Sequence, residues 1–189
     1  MRHGFDIVMP KVQSAEQLHT MDWLLSQYER ERGLAPASIE LMPIVETARG
    51  MSRIEDMARS GVSLKRIKRL SFGAGDFALD MNLSLTRDEA ELHSFRCSVV
   101  LASRAAGLEM PVDTAWGGVR DLAGSERSAE RAKALGFIGK MCIHPSHSEI
   151  AMRVFQPSEA AIRHARSVVQ AFLDAQNQGL ASIEHNGEF

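Results

Sequence analysis

Residues 41–80 read LMPIVETARGMSRIEDMARSGVSLKRIKRLSFGAGDFALD. Two short apolar runs, 39–45 and 67–72, open and close the informative part of this stretch. Runs of four to eight apolar residues bounded by turn signals suit buried strands better than helices. Each run gives way to a small polar cluster holding one carboxylate. Glu46 closes the first, and Asp76 follows the second across Gly73-Ala74-Gly75. Helical spacing occupies residues 50–60 between them, so the unit is strand–helix–strand and its strands are expected to be parallel. Parallel neighbours lie about 4.8 Å apart. Glu46 and Asp76 therefore leave the same edge of one sheet, close enough to share an ion. Two carboxylates with open positions around them suit Mg²⁺, which keeps waters and takes further ligands from substrate.

The pattern repeats on both sides. Residues 5–12 read as a strand ending at Pro10-Lys11. Ser14–Gln17 has capping-box spacing, and Leu18, Met21, Leu25 and Tyr28 then keep to one helical face until Gly33. A second capping box, 86–89, opens a helix to Gly107 that buries Phe95, Val99, Ala102 and Ala106. Residues 111–114 are a short strand, 125–135 a helix stopped by Gly136, and 140–143 a strand followed by His144-Pro145. A third capping box, 146–149, starts a short helix, and Pro157-Ser158 starts a long one reaching about residue 175. Five strands alternating with helices mean an α/β architecture, either an open parallel sheet covered on both faces or a barrel. Neither a G-x-G-x-x-G nor a G-x-x-x-x-G-K-[ST] follows any strand, which argues against a dinucleotide fold and a P-loop.

An apolar content of 44% and a net charge of −2 are those of an ordinary globular domain and give no sign of nucleic acid or a membrane surface as partner. No apolar run approaches the eighteen or so residues of a membrane span, and the first residues lack a signal-peptide core. Cys97 and Cys142 have neither metal spacing nor a disulfide framework, and a cytoplasmic location is the expectation. Cys142 is expected to be buried. The basic cluster Lys65, Arg66, Lys68 and Arg69 precedes a strand, at the rim opposite the carboxylates, and is expected to be solvated.

The segments PKV (10–12), PIVETARG (43–50), FGAGDFALD (72–80), ASRAAGLEMPVDT (102–114), ALGFIGKMCIHPS (134–146) and FQPSEAAIRHARSVVQAF (155–172) resemble the HpcH/HpaI aldolase/citrate lyase family. The likeness is to its citrate lyase beta-subunit-like branch, with the malyl-CoA and citramalyl-CoA lyases, and runs over residues 4–175 in the family's order and spacing. It implies a TIM-barrel-type (β/α)₈ fold, of which this chain supplies a partial barrel equivalent to strands 4–8 over residues 1–178, with an irregular tail at 179–189. It also implies that Glu46 and Asp76 are the catalytic metal carboxylates, holding Mg²⁺ or Mn²⁺. Backbone N–H groups around Gly73, Ala74 and Gly75 would hold a 2-oxo-acid carboxylate. Gly75 stands where the family carries Glu. An Arg on the third strand and an Asp in the C-terminal tail, which serves a neighbouring subunit's site, lie outside the matching segments.

Several residues keep two readings. Arg49 can bind an anionic group or cover the rim with its stem. Asp113 ends its strand on the carboxylate rim and is either substrate-binding or loop structure. His144 is either a general base or hydrogen-bonded to a neighbouring loop, and Trp116 either lid or packing. Three functions follow. The first is Mg-dependent cleavage of a 3-hydroxyacyl-CoA thioester into a 2-oxo acid and an acyl-CoA, weak in a chain of this length. The second is a non-catalytic paralogue or split-gene piece. The third is a class II aldolase acting on 2-keto-3-deoxy sugar acids. The partners expected are small acyl-CoA or 2-oxo-acid molecules, together with a second copy or a complementing chain.

Overall fold

The computed structural model describes residues 6–177. Five parallel strands lie side by side in chain order. They are β1 (Asp6–Met9), β2 (Glu40–Val45), β3 (Ser71–Phe72), β4 (Val112–Asp113) and β5 (Gly139–Lys140). The helices between them are α1 (Ala15–Glu31), α2 (Ala48–Ser52), α3 (Ile54–Leu64), α4 (Ala74–Asp80), α5 (His93–Ala106) and α6 (Leu122–Leu135), with α7 (Pro145–Phe155) and α8 (Glu159–Asn177) after β5. Strand followed by helix, always parallel and always to the next neighbour, is the order of a TIM-barrel-type sheet. The chain divides into two compact units, Met1–Phe155 with the whole sheet and Gln156–Phe189 with α8. The expected tail at 179–189 lies outside the described residues.

The core of the first unit forms where the strands' apolar residues meet the helices. Leu41, Val45, Leu70 and Phe72 from the strand runs pack with Leu18, Met57, Phe77 and Val99. Gly107 and Gly136 close α5 and α6 with left-handed backbones, as their positions at the ends of the apolar spacing predict. In α1, Leu18 and Leu25 are buried, whereas Tyr28 is 47% exposed with the Arg32 guanidinium over its ring. Register is set at the β2–β3 pair, where Val45 stands beside Phe72. The next residue on each strand, Glu46 and Gly73, therefore emerges at one edge.

Several expectations are corrected. The strands after β2 are two residues long because only that much of each apolar run holds ladder geometry; bonds such as Val112 N–H to Leu70 O (3.0 Å) and Leu41 N–H to Arg66 O (3.0 Å) tie the irregular remainder. None of the three capping boxes forms as expected. Ser14 makes no side-chain cap bond, and the Gln17 side chain accepts the Gln13 N–H at 2.7 Å. The Thr86 N–H and hydroxyl donate to the Glu91 carboxylate rather than pairing with the Glu89 side chain and N–H as a capping box would, and α5 begins only at His93 after a single 3-10 turn. Ser146 lies inside α7, its hydroxyl 2.8 Å from His144 Nδ1. Arg66 is buried at 2% exposure and is not part of a solvated cluster: Glu29, Asp22, Ser26 and the Ile39 carbonyl surround its guanidinium. Cys142 is exposed, since β5 ends at Lys140 and leaves it on the loop beyond.

Candidate metal centre

Three strand ends build the site. β1 runs out at Met9, and its continuation crosses to β2, where Val12, fully buried, donates its N–H to Ile44 O at 3.3 Å. β2 ends at Val45, so that Glu46 projects from the edge and Thr47 caps α2 by accepting the Gly50 N–H at 3.0 Å. β3 ends at Phe72, and α4 starts two residues later with Asp76 in its first turn. The sequence reading assigns no element to 73–80.

Glu46 is 7% exposed, and one of its oxygens accepts the Lys11 backbone N–H at 2.8 Å. Burial pushes the Glu46 carboxyl above its ordinary range. The Asp76 charge adds to that rise, and the Lys11 N–H and ammonium oppose it. The other oxygen packs on Gly73: a Cβ there would overlap Glu46 Oε2 and stand 2.7 Å from Glu46 Cβ. Glycine at 73 is thus required by the approach of the carboxylate. Asp76 is 43% exposed and pairs with Lys11 Nζ at 3.1 Å. One residue thereby touches both carboxylates. Asp80, at the end of α4, accepts the Ala48 N–H at 2.7 Å and ties α4 to α2 across the site.

This donor set fits a hard divalent cation. It offers two carboxylates from adjacent strands, one held by a backbone amide and the other half open to solvent. No group of three or more His, Cys, Asp or Glu is placed to hold a metal ion among the described residues, so further positions would belong to water or substrate.

The other sequence-derived residues are placed as follows. Gly73 N–H is given to Val45 O at 3.0 Å, and Ala74 N–H to Thr114 Oγ1 at 2.8 Å. Gly75 faces open space, with nothing within 4 Å of an added Cβ. It lines a cavity of about 280 Å³ shared with Leu85, Leu92 and Trp116. Arg49 is exposed in α2 and makes no ion pair among the described residues. Asp113 is fully buried. Arg96 Nε donates to it at 2.9 Å, Lys140 Nζ at 2.7 Å and Arg96 Nη2 at 3.1 Å. The Arg96 guanidinium also donates to Glu89 at 2.8 Å, where Ser128 and Arg131 donate at 2.7 Å. Asp113 thus anchors a buried charge network across α5, β4, β5 and α6. His144 is exposed, and its Nδ1 accepts from the Ser146 N–H at 3.3 Å.

Sequence reasoning passes over Lys11, although, like Glu46, it stands just past a strand end on one rim. It also passes over the Arg96–Glu89–Asp113 network, whose members are 7 and 17 residues apart.

A family model described as HpcH/HpaI aldolase/citrate lyase matches residues 1–145. The chain is 29% identical over 189 residues to citrate lyase subunit beta of Haemophilus influenzae, covering 100% of this chain and 64% of the relative. It is 31% identical over 199 residues to L-malyl-CoA/beta-methylmalyl-CoA lyase of Cereibacter sphaeroides, covering 96% and 61%. The citrate lyase beta subunit of Mycobacterium tuberculosis, solved in complex with oxaloacetate and magnesium, superposes with a TM-score of 0.61 at 24% identity, over 80% of this chain and 61% of that one. The chain thus spans about three fifths of the length of the curated relatives it matches.

Proposed function

From the premise that this chain belongs to the HpcH/HpaI aldolase/citrate lyase family, we propose that it serves Mg²⁺-dependent carbon–carbon cleavage of a 3-hydroxyacyl-CoA. The observation that carries the reading is the convergence of Glu46 and Asp76 on Lys11 at the ends of neighbouring parallel strands. In that cleavage the hydroxyl O–H gives way to a C=O, and the C–C bond breaks. Its electron pair passes to the α-carbon of the thioester, which then takes up a proton. The products are a 2-oxo acid and an acyl-CoA. L-malyl-CoA/beta-methylmalyl-CoA lyase among the relatives supports a thioester over a free sugar acid.

Glu46 and Asp76 would hold the ion, which supplies Lewis-acid polarisation and orientation of the substrate oxygens when bound. The chain's own residues do the rest. Lys11 N–H and Gly73 fix the Glu46 carboxylate from two sides, so its lone pairs point to one place. Gly75, in the first turn of α4, would offer an anionic substrate group an N–H of the kind that a helix start leaves without an intrahelical partner. Arg49, on the same rim, offers a second anion contact. Asp113 acts beneath the site, holding β4 and β5 together through Arg96 and Lys140. A second copy or a complementing chain would complete the assembly.

Release of a 2-oxo acid from malyl-CoA and citramalyl-CoA, followed in single turnover with protein in excess, tests this. Release should require Mg²⁺ and fall about 100-fold or more in Glu46→Gln, the scale of losing a main electrostatic element. Equal release by the variant, or release from 2-keto-3-deoxy sugar acids alone, would contradict it.

A further inference from the structure

Lys11 holds both candidate ligands, but by two different kinds of contact. Its backbone adopts φ 52°, a left-handed conformation that residues other than glycine seldom hold and that recurs at functional sites. That conformation brings the Lys11 N–H to Glu46 Oε1 at 2.8 Å. The backbone cannot drift, because the next residue, Val12, is fully buried and bonded to Ile44 O. The side chain has the opposite character. It is 59% exposed and reaches Asp76 by a single ion pair of 3.1 Å, itself 43% exposed on the acid side. Exposed ion pairs of this kind contribute little and are readily exchanged. Among the described residues it is the only ion pair that Asp76 makes, and Glu46 makes none.

We propose that Lys11 is the exchangeable counter-ion of this centre: its N–H orients Glu46 whether or not a cation is bound, and its ammonium holds Asp76 only until a divalent cation takes that place. The proposal rests on the reading of Glu46 and Asp76 as metal carboxylates. It makes Lys11 a positioning residue for the site. The ammonium keeps two like charges on neighbouring strand ends from repelling one another in the metal-free protein. It also sets how tightly a metal must bind to enter, since the ion has to displace it.

Calorimetric titration of Mn²⁺ into the full chain tests this, with wild type, Lys11→Met, Lys11→Arg and Glu46→Gln compared. Lys11→Met keeps the backbone N–H and most of the side chain's length and removes the ammonium. It should bind Mn²⁺ about fivefold more tightly than wild type, the scale of one exposed ion pair lost as competitor. Lys11→Arg should return affinity to within about twofold of wild type, which a merely structural role would not do. Thermal melts without metal should coincide for wild type and Lys11→Met to within about 4 °C, as for a surface pair. Unchanged or weaker Mn²⁺ binding by Lys11→Met, with Glu46→Gln impaired, would overturn the proposal and leave the metal reading standing. Absence of Mn²⁺ binding in wild type would overturn both.

Discussion

Glu29 takes no part in the site, yet its side chain is only 2% exposed and grips the Arg66 guanidinium at 2.9 and 3.1 Å. Arg66 holds its carboxyl down to about 2, the Ile39 and Ala37 N–H groups add to this, and burial opposes it. A carboxylate lowered in this way stabilises the fold fully above its ordinary value of 4.5, and the stabilisation is lost as pH falls from there toward 2. The shift corresponds to roughly 3 kcal/mol, which agrees with the 3–5 kcal/mol typical of breaking one partner of a buried pair. Glu29→Gln should therefore lower stability by roughly 3 kcal/mol at pH 7 and by far less near pH 2. Urea unfolding at the two pH values checks it; a penalty that does not change with pH would contradict the assignment. The four cations at 65–69 give no local hint of this pair, because Glu29 is 37 residues away and only the packing of α1 against α3 brings it to Arg66, just past the end of α3.

At the scale of the element, α4 sets two glycines against each other. Gly73 is held by contact: a side chain there would run into Glu46 and come within 2.9 Å of Ile44 Cγ2. Gly73→Ala should cost about 1–3 kcal/mol as an overpacked position and weaken Mn²⁺ binding through the displaced Glu46. Gly75 has nothing within 4 Å, carries no positive φ and lies inside the helix. Gly75→Ala should raise stability by about 0.5–1 kcal/mol, the helix-interior difference between the two residues. Thermal melts of the pair check both signs, and like-signed shifts would contradict this account of α4. The strands that precede Glu46 and Asp76 were legible because apolar runs followed by single carboxylates need no long-range information. The helix starts were not. Ser14, Thr86 and Ser146 have capping-box spacing, but Ser14 makes no cap bond, and the hydroxyls of Thr86 and Ser146 pair with Glu91 and His144. Glu89, at φ 51°, turns into the Arg96 network. Asp113 was legible as a strand-end carboxylate on the correct rim, but the distant Arg96 and Lys140 that bury it were not.

In the whole molecule, the parallel order β1 to β5 makes the site a property of the sheet, since Lys11, Glu46 and Asp76 come from three successive strand ends. A cation held by Glu46 and Asp76 would stabilise the folded chain by mass action, about 2.7 kcal/mol at a hundredfold excess over Kd. The central claim is that Glu46 and Asp76 form one divalent-metal site. Titrating Mn²⁺ into wild type, Glu46→Gln and Asp76→Asn, with unfolding followed at each metal concentration, tests it most directly. The expected result is one site per chain, stabilisation rising with metal in wild type, and affinity at least about tenfold weaker in each variant, as for a lost charged ligand. Equal affinity and equal stabilisation in all three proteins would contradict it.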